Sequence, residues 1–305
     1  MEHAPITYRG MVNRWHIDDM GHMNVRFYLD KASQAQRAYL AHIGLGQTQR
    51  TALNIKPQAR DHHLRFLKEC HSGASLFART APVEISDTGL RLCTEICRTL
   101  DGAVCATMTS ETVLVDAQSN AVPLPAEAKA IAQSDLTQLP DHAAPKGLPG
   151  PKPTQTPDLA TAIGRNLLET ARFEAKSEQF NSDGLMDPYQ LLGGLLEGIP
   201  TLFSEMNVDR EQRAKDGIGG AALEYWLCRF GEPKPGDILF VMGGLSDVGG
   251  KTFTHAYWMF DDRGNPIASV EAIAVTFDLK ARKAIPIPDD ARPGYEAMIK
   301  PGHGI

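Results

Sequence analysis

The chain has 305 residues, 42% hydrophobic and 22% charged, with a formal net charge of −6, the balance of a soluble globular protein of about two domains. The acidic surplus argues against nucleic-acid binding, which needs a basic face, and no apolar run nears the roughly 18 residues of a membrane span. The N-terminal "MEHAPITYRG" lacks the basic and apolar regions of a signal peptide, and five cysteines (Cys70, Cys93, Cys97, Cys105, Cys228) with no C-x-x-C pair read as thiols of a reducing cytoplasm.

The first element is a strand, "ITYRGMVNRWHI", which runs into the polar turn "DDMGHMN". A helix follows, with apolar positions Tyr28, Ala32, Ala35, Tyr39 and Ile43 at 3.6-residue spacing and Asn24 as its N-cap. Four strands come next: "HHLRFLKE", "ASLFARTAPVEI", "LRLCTEICRTL" and "VCATMTSETVLV". Residues 123–160 are rich in Pro, Ala, Gln and Lys and read as a linker, with room for a short helix over Ala126 to Gln133.

Beyond it the series repeats. "ARFEAKSEQF" is again a strand, Asp187-Pro188 is an N-cap followed by Pro at the first helical position, and Leu192, Leu195, Ile199 and Leu202 mark a helix. Gly193, Gly194, Gly198 and Pro200 weaken that helix and favour a kink. The strands "ALEYWLCRF", "GDILFVMGGLS", "KTFTHAYWMF" and "PIASVEAIAVTF" complete the copy. Gly21 and Gly184, Met23 and Met186, Gly73 and Gly236, and Leu76 and Leu239 all stand 163 positions apart, and Asp116 and Asp278 stand 162 apart. An internal duplication follows: an α+β chain with a first domain at 1–122, a linker at 123–160, a second domain at 161–290 and a tail at 291–305. Each domain is a curved antiparallel sheet around one long helix.

"HIDDMGHMNVRFYL" resembles the signature of hotdog-fold thioesterases, in particular the 4-hydroxybenzoyl-CoA thioesterase-like family. That pattern is Asp-x-x-Gly-His-hydrophobic-Asn followed by a Tyr, held here by Asp18, Gly21, His22, Met23, Asn24 and Tyr28. The second copy, "FNSDGLMDPY", is degenerate: Asn181 stands for Asp18 and Leu185 for His22. The resemblance implies tandem hotdog domains, paired within the chain as a pseudo-dimer with further homo-oligomerisation open, and active sites at the pairing interface. It implies an acyl-CoA thioesterase with CoA as part of the substrate and no separate cofactor or metal.

Thioester hydrolysis needs a base or nucleophile and donors for the developing oxyanion. Spacing alone reads Asp18 as a turn-capping aspartate; the resemblance makes it the nucleophile or general base. The first N–H groups of a helix have no intrahelical acceptor and lie at the positive end of its dipole, so the Val25 N–H is the candidate oxyanion donor. His22 orients Asn24, touches substrate or serves the turn structurally, and Asn24 caps the helix with a substrate role open. Gly21, Arg26, Tyr28, Asn181, Glu197 and His255 are candidates for lining the substrate. Tyr28 also fits the core, His255 fits a strand core with Phe253 and Tyr257, and Glu197 is a reserve acid on the second helix. Arg26, Arg60, Arg65 and Lys68 are options for the CoA nucleotide. His62 and His63 point to opposite strand faces, which disfavours a shared metal. No GxSxG nucleophile elbow occurs. The rival readings are a hotdog hydratase or dehydratase, although "GDxNPxH" is absent, and a non-catalytic acyl-CoA-binding protein. With the acid kept in one copy only, one active site per chain is expected.

Overall fold

The structure is a computed structural model that describes residues 1–148, 153 and 155–304; Pro149 and Pro151 of the expected linker lie outside the described residues. The chain divides into two compact units, Met1–Lys146 and Gly147–Ile305. No helix among the described residues is long and apolar enough to cross a membrane.

The first unit has strands β1 (Ile6–Met11), β2 (Lys56–Ala59), β3 (Asp61–Phe66), β4 (Ser75–Ile85), β5 (Gly89–Arg98) and β6 (Val104–Val115). They form an antiparallel sheet in the order β1-β4-β5-β6, with β2 and β3 in succession on the other side of β6. The β2–β3 junction interrupts the ladder, and Asp61 fills the gap. Its Oδ1 accepts the Glu111 N–H at 2.7 Å, and its carboxylate meets the Arg91 guanidinium at 3.2 to 3.4 Å.

Helix α1 (Val25–His42) packs on the sheet. Tyr28, Ala32, Ala35, Tyr39 and Ile43 are all buried, as their spacing predicts, and each large side chain stabilises the fold by roughly 1.5–3 kcal/mol. Two further helices follow in this unit. α2 (Gln47–Leu53) has no apolar stripe and escapes a periodicity reading; Arg50 ties it down, donating to the Leu45 carbonyl at 2.8 Å. α3 (Ala126–Ser134) is the short helix for which the segment left room at Ala126 to Gln133, but it packs on the first unit rather than lying in a linker. Its Ala128 and Ala132, with Leu124, pack against Tyr39, Leu40, Leu92 and Leu114. Alanine contributes little to a hydrophobicity count, yet at helical spacing it closes a core.

The second unit repeats the order. α4 (Leu159–Gly164) precedes β7 (Leu168–Glu174). After it come α5 (Pro188–Leu196), α6 (Ile199–Glu205), α7 (Arg210–Lys215), β8 (Ile218–Arg229), β9 (Ile238–Val248), β10 (Thr252–Asp261), β11 (Pro266–Asp278), β12 (Lys283–Ala284) and α8 (Arg292–Ala297). The strand order β7-β9-β10-β11-β8 matches β1-β4-β5-β6-β3 of the first unit, with β12 added on β11. The expected kink is a break between α5 and α6, because Pro200 has no N–H to donate back. Gly198 at this break lies so close to β7 that a Cβ would collide with Thr170. The residues expected as a tail are part of this unit: Ile299 bridges Leu245, and His303 Nε2 lies 2.8 Å from the Ala256 carbonyl.

Two buried imidazoles make the second unit acid-sensitive. Burial pushes the pKa of His255 and of His303 from 6.5 down to about 4. Between those values the unfolded chain binds more protons than the folded one, so stability falls as the pH drops from about 6.5 to 4, by up to roughly 3 kcal/mol per imidazole. Unfolding free energies measured across that window should fall accordingly, and His255→Gln should remove about half of the slope. A flat profile contradicts this.

Candidate active site

The Asp18 turn is a product of local bonding. Ile17 and Met23 pair as a two-residue bridge, the Asp18 N–H donates to the His22 carbonyl at 2.9 Å, and the Gly21 N–H donates to the Asp18 carbonyl at 3.1 Å. Gly21 has φ +82°, a left-handed conformation that glycine adopts without a Cβ penalty. Asp18 Oδ1 accepts the Met20 N–H at 3.0 Å, which leaves Oδ2 for other work.

The helix start is fixed from both sides. Asn24 Oδ1 accepts the Arg26 N–H at 3.1 Å, and the Asn24 N–H donates to the His16 carbonyl at 2.9 Å. Asn24 is thus the N-cap, and the Val25 N–H has no acceptor among the described residues. The Met23 N–H donates to the Cys70 carbonyl at 2.8 Å, and the Cys70 N–H donates to Tyr28 Oη at 3.1 Å. Tyr28 is therefore a buried strut beneath the turn.

That strut brings in a residue the sequence did not single out. His22 Nδ1 lies 3.2 Å from Asp18 Oδ2, and His22 Nε2 lies 3.9 Å from Glu69 Oε1. Glu69 in turn faces His71 Nε2 at 3.8 Å, and His71 Nδ1 lies 3.0 Å from the Gly21 carbonyl. The Asp18 and His22 side chains are 15% and 16% exposed, open to solvent along a narrow aspect. The result is a carboxylate–imidazole–carboxylate row on the turn that leads into a long helix, whose positive end carries the acceptor-free Val25 N–H. It can position a water or a carbonyl carbon beside Asp18 and move a proton through His22.

The second unit copies the scaffold with other residues at its key positions. Phe180 bridges Met186, the Asn181 N–H donates to the Leu185 carbonyl at 2.9 Å, the Asp187 N–H donates to the Gln179 carbonyl at 2.9 Å, and Gly184 has φ +75°. Each contact repeats the first at an offset of 163. Asn181, however, turns its Oδ1 onto the Asp183 and Leu185 N–H groups at 2.9 and 3.2 Å. Pro188 stands where Val25 does and has no N–H to offer. The positions of Asp18, His22 and the Val25 N–H are thus held by Asn181, Leu185 and Pro188, while the acids of this turn, Asp183 and Asp187, stand at the places of Met20 and Asn24.

The other expected residues are dispersed. Glu197 is exposed at the C-cap of α5, about 13 Å of helical rise from the Asn181 turn. His255 is buried among Tyr225, Phe253 and Tyr257, a core setting. Arg26 lies over the Phe27 ring at 5.3 Å, and Arg65 donates to the Ala144 carbonyl at 3.1 Å.

The sequence matches the profile of the thioesterase-like superfamily over residues 12–132 and 189–293. No curated protein shows significant sequence similarity to it. Among solved structures, a protein from Lactobacillus plantarum described as an oleoyl thioesterase superposes with a TM-score of 0.70 at 12% identity, covering 90% of this chain and 97% of its own. An acyl-ACP thioesterase from Bacteroides thetaiotaomicron gives 0.63 at 11% identity, with 88% and 96% covered. The 12:0-ACP thioesterase from Umbellularia californica gives 0.66 at 10% identity, with 88% and 93% covered. At these identities the likeness is one of fold, the tandem hotdog.

Proposed function

The chain belongs to the thioesterase-like superfamily and is a thioester hydrolase; we propose that it hydrolyses an acyl-CoA, with water, to a free acid and CoA thiol at the Asp18 turn. One observation carries this reading: a glycine-forced turn bearing a carboxylate leads directly into a capped 18-residue helix whose first N–H has no acceptor among the described residues. The Val25 N–H and the helix dipole hold the carbonyl oxygen as it gains charge, which is worth about 3 kcal/mol per donor in other enzymes. Asp18 takes a proton from the attacking water, or attacks the carbonyl carbon itself with loss of the thiolate, giving an aspartyl anhydride that water then opens, releasing the acid, the free Asp18 carboxylate and a proton. His22 passes that proton towards the departing thiolate, so the products are an acid and a thiol.

Glu69 faces the far nitrogen of His22 at 3.9 Å and steadies its protonated form in this scheme. Glu69→Gln should lower kcat about tenfold with KM little changed, because it disturbs orientation in the reacting complex rather than binding. An equal loss in KM alone would remove Glu69 from the scheme.

The test is a panel of acyl-CoA esters in which free thiol and enoyl absorbance are followed together. Thiol release without an enoyl change is expected. An enoyl change without thiol indicates a hydratase or dehydratase, and binding with neither indicates a non-catalytic acyl-CoA-binding protein. The same acyl groups on an acyl carrier protein distinguish the carrier, since two proteins of similar fold are acyl-ACP thioesterases.

A further inference from the structure

The row that begins at Asp18 does not end at His22. Glu69 faces His22 Nε2 with Oε1 at 3.9 Å and His71 Nε2 with Oε2 at 3.8 Å, so one carboxylate stands between two imidazoles. Exposure rises outward along the row: the Asp18, His22, Glu69 and His71 side chains are 15%, 16%, 33% and 62% exposed. The outer imidazole is also oriented. His71 Nδ1 lies 3.0 Å from the Gly21 carbonyl, which can only accept. That bond assigns the hydrogen to Nδ1 and leaves Nε2, the nitrogen turned to Glu69, to gain and lose a proton.

The second unit shows what the same loop does without this chemistry. At the offset of 163, Glu232 and Lys234 stand for Glu69 and His71, as Asn181 and Leu185 stand for Asp18 and His22. Both Glu232 oxygens accept from Arg229 at 2.6 Å, and Arg229 also donates to the Met186 carbonyl at 2.7 Å. The acid there holds a permanent cation against the turn. In the first unit Phe66 stands where Arg229 does, and the carboxylate faces groups whose charge changes near neutral pH. Both imidazoles accompany Asp18, and both are replaced where that acid is replaced.

Hydrolysis gives the row a task. At neutral pH a thioester and water yield a carboxylate, a thiol and one proton. One proton of the water passes by way of His22 to the thiolate. The other stays on the new carboxyl group until Asp18 takes it, and it must leave before the next turnover. Direct loss to solvent is restricted at side chains as covered as Asp18 and His22. We propose that His71 is the exit of a proton relay, Asp18 to His22 to Glu69 to His71, that resets the site after each turnover. Both gaps at Glu69 exceed a direct hydrogen bond, so the proton crosses them as the partly exposed Glu69 side chain swings, or through a bridging water. The proposal rests on the acyl-CoA reading above and adds a residue that acts through His22 without touching substrate.

The experiment uses the full chain, an acyl-CoA ester that it hydrolyses, and two variants at position 71. His71→Gln keeps a donor for the Gly21 carbonyl, so its melting temperature should match the wild type. Its kcat should nevertheless fall about tenfold in dilute buffer, with KM unaltered. Adding imidazole should restore kcat in His71→Gln and in His71→Ala and leave the wild type unmoved, because a soluble base then replaces the exit. A His71 that only holds the Gly21 carbonyl gives the opposite pattern: full activity in His71→Gln and no response to imidazole in either variant. That pattern overturns the proposal. In parallel, NMR titration of the His22 ring should show its midpoint moving upward in His71→Gln, because Glu69 then serves His22 alone. An unmoved midpoint means that the two imidazoles are not linked, and it too overturns the proposal. If no ester is hydrolysed, the acyl-CoA reading fails, and the titration decides the link between His22 and His71 by itself.

Discussion

Asp18→Asn should leave the protein folded and lower kcat/KM by about a thousandfold or more, the usual cost of removing a central acid–base or nucleophilic group. The folded half of that result is written into the second unit. Asn181 occupies the same turn, with the same bridge, the same left-handed glycine and the same backbone bonds. An asparagine at 18 can still accept the Met20 N–H as Asp18 does. What it lacks is the charge that faces His22 at 3.2 Å and the ability to take a proton or attack a carbonyl. Melting curves and thiol release measured on the same preparation separate the two effects. A variant with intact melting and undiminished activity removes Asp18 from the site.

Asp61→Ala should cost about 3–5 kcal/mol of stability, the usual penalty for removing one member of a buried ion pair. Asp61 is 3% exposed. It satisfies Arg91 and also the Glu111 N–H, which the β2–β3 interruption leaves without a ladder partner. Alanine strands the Glu111 N–H and leaves Arg91 only the exposed Glu111 carboxylate at 3.8 Å. A double variant, Asp61→Ala with Arg91→Leu, should recover part of the loss because the under-paired guanidinium goes with it. Denaturant unfolding measures both, and a loss below about 1 kcal/mol in the single variant contradicts the account. At temperatures below unfolding, catalytic constants should be unchanged, since neither residue lies on the Asp18 turn.

How much of this the sequence disclosed depends on the range of the interactions. The Asp18 turn, the Asn24 cap and the buried stripe of α1 all form within a few residues, and local pattern suffices for them. The duplication was readable because backbone needs at Gly21 and Gly184 preserve residues at a fixed offset. Glu69 was not readable: it reaches His22 only because the Met23 N–H bonds the Cys70 carbonyl, 47 positions away. The break at Pro200 was visible as a kink but not as two helices, which depends on how tightly β7 packs against Gly198. In the segment after residue 123 the short helix over Ala126 to Gln133 is legible, but its packing on the first unit is not, because that rests on Leu124 and two alanines. The lost donor in the second turn was in plain view as Pro188, but it became meaningful only once Pro188 and Val25 occupied equivalent helix starts.

The central claim is that one of two equivalent turns does the chemistry. Free-thiol release from the acyl-CoA panel by four proteins tests it most directly: wild type, Asp18→Asn, Asn181→Asp, and the double variant. Asn181→Asp should match the wild type, and the double variant should stay at the Asp18→Asn background, because an acid restored at 181 still faces Pro188 and Leu185 rather than an N–H and an imidazole. Recovery of activity in the double variant, or full activity in a folded Asp18→Asn protein, would contradict the account.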